Sequence, residues 1–118
     1  MPEDIQALAV AMRRDLAAVA NRKATIFYGD LMTMHGLDHD NQHHRNILSQ
    51  VLGIISTEAV RGGLPMLSAV VVNKSGEHEN SPSPPFFALA KELRRMQRGE
   101  SELAFLANEL NAVHRRTW

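Results

Sequence analysis

The chain has 118 residues, 13 Lys+Arg balanced by 13 Asp+Glu, and no cysteine. One domain of this length can bury roughly two-thirds of its unfolded surface and needs no staple to fold. The missing cysteine excludes disulfides, thiolate zinc sites and cysteine nucleophiles. The balanced charge argues against a protein that coats nucleic acid without specificity, because phosphate contacts carry that affinity.

No apolar run approaches the roughly 20 residues of a membrane span. The stretch MPEDIQALAV carries acid where a signal peptide carries base. A cytoplasmic protein with no membrane partner is expected. Aromatic residues are few, so an aromatic base-stacking platform is not.

Residues 4 to 22 are predicted to be helical, since Ile5, Leu8, Met12, Leu16 and Val19 recur at helical spacing. ATIFYG, residues 24 to 29, reads as a short strand or extended lead-in. A short helix follows, from Gly29 or Asp30 to His35, with Gly36 placed as its C-terminal cap. Asp38, Asp40 and Asn41 mark a turn, and Asp40 or Asn41 can cap the next helix. That helix spans about 42 to 61, with Ile47, Leu48, Val51, Leu52, Ile55 and Val60 on its apolar face. Gly53 sits in its interior at a cost of about 1 kcal/mol against alanine, a position that could allow close packing.

MLSAVVV predicts a buried strand and Asn73-Lys74-Ser75-Gly76 a turn, with residues 77 to 80 returning as a second strand. SPSPP, residues 81 to 85, is a loop. Phe86, Leu89, Ala90, Leu93 and Met96 give the inward face of a helix that ends at Gly99. Lys91, Arg94, Arg95 and Arg98 would lie together on that helix as a solvated basic face. Ser101 caps a last helix to about Arg115, with a stripe of Leu103, Leu106, Leu110 and Val113.

The expected fold is therefore mainly α with a small β-hairpin: a winged helix-turn-helix extended by two C-terminal helices. It forms a single domain over 1–118. The N-terminal helix occupies 1–23, the helix-turn-helix and wing 24–80, the Pro-rich loop 81–85, and the C-terminal helices 86–118.

TIFYGDLMTMHGL, then NILSQVLGIISTEAV, then GLPMLSAVVVNKSG resemble small uncharacterised bacterial and phage winged-helix proteins. The resemblance covers residues 25 to about 90 and implies that fold. The same stretch is similar, more faintly, to the DNA-binding domain of alkylguanine-DNA alkyltransferases, which place a reactive cysteine just after a proline. Here Met66 follows Pro65. A thioether is no thiolate, so alkyl-acceptor chemistry is excluded, while the likeness still implies DNA binding.

MHGLDHDNQHHRN, residues 34 to 46, holds His35, His39, His43 and His44. A zinc site needs about four fixed ligands, but Gly36 and the Asp/Asn cluster interrupt the helix that would align these. A solvated turn is expected, with no metal and no cofactor. No G-x-S-x-G elbow, Walker loop or dinucleotide glycine pattern occurs, so no enzyme is expected.

Gln42, His43, His44, Arg45 and Asn46 fall at the start of the long helix, where a recognition helix meets bases and phosphates. Lys74 lies at the wing tip. The expected function is binding of double-stranded DNA, as a transcription regulator or a phage/host-interaction factor. A homodimer could form through Leu103, Leu106, Leu110 and Val113. The alternative is a protein–protein module, for example a phage-encoded inhibitor of a host protein, that keeps the scaffold without binding DNA. SPSPPFF and Trp118 would be its contact points. A histidine-based metal or pH sensor is the third reading.

Overall fold

Asp4 starts the first helix, its carboxylate accepting the Ala7 N–H at 3.1 Å. In the computed structural model, which describes residues 4–118, this helix is α1 (Ile5–Asn21). It is followed by β1 (Ile26–Phe27), α2 (Tyr28–Met34) and α3 (Gln42–Arg61). A 3-10 turn (Leu67–Val70) leads into β2 (Val71–Val72), and α4 (Pro84–Glu92) and α5 (Glu102–His114) complete the chain. The fold is mainly helical with one small two-stranded sheet. Among the described residues no helix is long and apolar enough to cross a membrane.

The first four helices end in the same way. An N–H reaches back five residues to a carbonyl: Ala24 to Val19, Leu37 to Met32, Leu64 to Ala59 and Arg95 to Ala90. This bond satisfies an orphan carbonyl, and it requires the preceding residue to take a left-handed backbone. That residue is glycine at Gly36 (φ +71°) and Gly63 (φ +80°), but Lys23 (φ +56°) and Arg94 (φ +59°) at the other two ends. Residues with a Cβ reach this conformation at a cost of roughly 1–2 kcal/mol. Arg94 corrects an expectation, since α4 stops at Glu92 and does not run on to Gly99. The four basic residues do not share one helix, and Arg95 turns inward.

The small sheet also differs from the expected hairpin. β2 pairs with β1, in parallel, with Ile26 opposite Val71 and Phe27 opposite Val72. A parallel pair needs a long crossover, which α2 and α3 provide. Within MLSAVVV only the last two residues are strand. Leu67–Val70 coil into the 3-10 turn, because this stretch is buried on all sides and the Ser56 hydroxyl captures the Ser68 N–H at 3.1 Å. Residues 77–80 form no strand that pairs back on β2. Instead the loop closes on Asn73, whose N–H donates to the Ser81 carbonyl and whose own carbonyl accepts from Asn80.

α1, α3 and α5 all pack on the 3-10 turn, and α4 packs on α3. One apolar core results, with Met12, Leu16, Val51, Ile55, Met66 and Leu67 among its most enclosed side chains. Glu109 is also inside it, 4% exposed. Its carboxylate takes two bonds from Arg95, at 3.0 and 2.6 Å, and one from the Met66 N–H at 2.9 Å. Donating to the Glu109 carboxylate raises the Arg95 pKa, which favours the charged guanidinium. Val113 is fully buried, Leu106 and Leu110 lean on the core, and Leu103 is 80% exposed. Three members of the expected dimer stripe thus pack against their own chain.

Removing Arg95 would leave a buried carboxylate without its cation. Arg95 is itself about one-third exposed, so water can soften that loss. Arg95→Ala is expected to destabilise the fold by about 2–3 kcal/mol, and Glu109→Gln, which keeps an acceptor for Met66, by less. Urea unfolding midpoints check the order of the two.

Candidate nucleic-acid interface

Asn41 caps α3 by accepting the His44 N–H at 3.2 Å. The polar residues after it occupy the first turns of the helix. Gln42, His43, Arg45 and Asn46 are exposed, as are Ser49 and Gln50 one turn on. His44 is half-buried and serves the turn, its Nδ1 accepting the Asp38 N–H at 2.9 Å. Arg45 is held in place by two bonds, to the His39 carbonyl at 2.6 Å and to Gln42 Oε1 at 2.7 Å. A guanidinium has five N–H donors, so three remain. Gln42 in turn donates to Asn46 Oδ1 at 2.8 Å. The side chains of Gln42, Arg45 and Asn46 therefore form one connected row.

Lys74 is exposed on the loop after β2, with Glu77 and Glu79 exposed beside it in sequence. The histidines scatter. His35 pairs with Asp15 of α1 and is mostly buried. His39 lies 3.4 Å from the Asp40 carboxylate at the surface. The rings of His43 and His44 are 6.2 Å apart. No three His, Asp or Glu side chains converge on a common point among the described residues.

Beside the polar row a cleft of about 550 Å3 opens between α2, α3 and α4. Gln42, Arg45 and Asn46 stand along it, while His43, His44 and Lys74 do not. Its walls include Met32, Leu52, Pro85, Phe86 and Leu89. Its polar groups include Tyr28, Ser49, Ser68, Asn73, Ser83 and Glu92. The Ser83 N–H donates to the Tyr28 hydroxyl at 2.9 Å, and Asn73 Nδ2 donates to Ser83 Oγ at 3.1 Å. These bonds tie the start of α2 to the start of α4. Ser68 and Ser56 hydroxyls meet at 2.6 Å. A smaller hollow, about 310 Å3, lies elsewhere, between Arg13, Arg14, Ile55 and Trp118.

Gly53 lines the cleft, and a Cβ built on it would meet nothing within 4 Å. The interior glycine of α3 therefore leaves open space and is not a point of close helix packing. Tyr28, Gly53, Ser68, Asn73 and Ser83 come from separate segments, which is why no sequence motif joins them. A weaker signal exists for Ser56, a polar residue in the apolar register of α3 between Leu52 and Ala59.

No protein-family model, no curated protein and no solved structure matches this chain.

Burial raises the pKa of Tyr28, against the opposing pull of the Ser83 N–H bond. A phenol raised in the folded state favours folding below its unfolded pKa of about 10 and withdraws that support as pH climbs through the higher folded value. Tyr28 is the chain's one tyrosine, so near-ultraviolet tyrosinate absorbance reads it alone. Its midpoint is expected above that of the urea-unfolded chain. Gly53→Ala is expected to raise stability by up to about 1 kcal/mol, measured by thermal melting, since the helix gains propensity and the methyl group meets no atom.

Proposed function

We propose that this chain binds double-stranded DNA through the N-terminal half of α3. The observation that carries the reading is the connected row of Gln42, Arg45 and Asn46, exposed together on the first turns of one helix. Arg reads guanine edges and grips phosphate, and Asn and Gln pair with adenine edges. Ordering Arg45 beforehand lowers the entropy cost of using it. In this reading α2 and α3 act as a helix-turn-helix of the winged type, and the loop carrying Lys74 acts as the wing against the backbone. His43 adds a donor at the groove, while His44 holds the turn. The chain would serve as a cytoplasmic regulator or phage/host-interaction factor, a binding protein without catalysis. A dimer on paired half-sites would need a surface beyond the stripe of α5, since Val113 is fully buried.

Fluorescence anisotropy with a random-sequence duplex tests the reading. About four phosphate contacts would weaken binding roughly 100-fold between about 50 and 200 mM salt. Arg45→Ala is expected to cost about 1–3 kcal/mol, and Lys74→Ala to weaken binding evenly across sequences and reduce the salt slope by about one. No binding at tens of micromolar protein in low salt would overturn the reading. It would favour the protein–protein module that the balanced formal charge also allows.

A further inference from the structure

The cleft between α2, α3 and α4 has features that DNA-backbone contact does not use. Its volume, about 550 Å3, falls within the roughly 300–1,000 Å3 of small-molecule sites. Its walls are mainly apolar and include the aromatic residues Tyr28 and Phe86 together with Leu52, Pro85 and Leu89. Aromatic side chains favour a flat ring against them. At Gly53, the middle of a 20-residue helix carries no side chain, and the space a Cβ would enter is empty.

The polar groups select the ligand further. The Tyr28 oxygen already accepts the Ser83 N–H, so what it has left to offer is its proton. Asn46 Oδ1 is taken by Gln42, which leaves the Asn46 amide hydrogens as donors. The Ser49 hydroxyl can donate as well. These donors call for acceptors on the ligand, such as ring nitrogens or a carbonyl, while the Glu92 carboxylate can accept from a ligand N–H. The ionisable side chains along the cleft are Arg45, Glu92 and His39, all at exposed positions, and His39 Nδ1 lies 3.4 Å from the Asp40 carboxylate. With histidine neutral the formal charges cancel, and no lysine or second arginine lines the cleft to hold a phosphate or carboxylate.

We infer that this cleft is a binding site for a small, uncharged heteroaromatic molecule of one or two fused rings that carries hydrogen-bond acceptors. Occupancy would press on Arg45 and Asn46, which lie along the same opening. A ligand there would be coupled to whatever the polar row of α3 contacts. The site itself does not depend on the DNA reading, because its test requires no DNA.

The probe is free 2-aminopurine, titrated into the full chain and followed by fluorescence anisotropy and by amide shifts in nitrogen-15 spectra. A Kd of about 0.1–1 mM is expected, the range open to a fragment of that size. The shifts should cluster at Gly29, Gly53, Asn73 and Ser83. Gly53→Leu puts a side chain into the empty space on a helix that tolerates it, so it should melt no lower than the parent and bind at least about tenfold more weakly. Tyr28→Phe, which removes the phenolic donor, should weaken binding about fivefold. Absence of binding at about 5 mM free base, well above the weakest Kd expected for such a fragment, would overturn the inference. So would binding that Gly53→Leu leaves unchanged. A second arm places 2-aminopurine inside a duplex, where leaving the stack brightens it. Brightening that Gly53→Leu abolishes, with no binding of the free base, would also overturn the small-molecule site and assign the cleft to a base carried on DNA.

Discussion

The stretch from Pro65 to Val72 runs buried through the middle of the molecule, although only two of its residues are strand. A buried chain outside a helix or sheet must find hydrogen-bond partners for its own polar backbone, and each one left without a partner would cost about 1–3 kcal/mol. Two side chains from neighbouring helices meet part of that need. Glu109 of α5 takes the Met66 N–H, and Ser56 of α3 takes the Ser68 N–H. Pairing of β2 with β1 serves the end of the segment. The helices α1, α3 and α5 all pack on this segment, α1 and α3 also pack on each other, and Arg95 turns inward to Glu109.

The same constraint shapes the candidate site. With Leu67–Val70 coiled into a 3-10 turn, Ser68 comes to the edge of the cleft, and the chain reaches Asn73 ready to close the following loop. Asn73 and Tyr28 then fix Ser83, at the start of α4. α3 forms one wall, presenting Gln42, Arg45 and Asn46 along the opening and Gly53 deeper along the helix. An exposed polar helix start and an apolar cleft are thus held side by side, in part by bonds among Tyr28, Asn73 and Ser83 of the cleft's own lining.

Much of the helical architecture is legible in the chain itself, wherever the signal is local. The apolar spacing of α1 and α3, the Asn41 and Ser101 caps, and the left-handed turn at Gly36 are all properties of a few adjacent residues. The end of α4 is not legible, because Arg94 takes the conformation that glycine signals elsewhere. Glu109 is a partial case. It falls on the same side of α5 as Leu106 and Val113, in apolar register, which is a sign of a buried carboxylate in search of a partner. Of the site, only the part contiguous in sequence, Gln42 to Asn46, can be read in advance. The cleft draws on residues from 28 to 92 and has no sequence spacing of its own.

The sequence by itself therefore determined the apolar faces of the helices, the caps at Gly36 and Ser101, the absence of thiol chemistry and the polar start of α3. These depend on interactions within one or two helical turns. Tertiary structure alone decided which strand β2 would pair with, which of the basic residues would turn inward, and that Gly53 would face empty space and not a neighbour. Each of those outcomes is a contact between residues far apart in the chain. Their free energy comes from burial and from satisfying backbone groups at a distance, and local pattern carries no record of it.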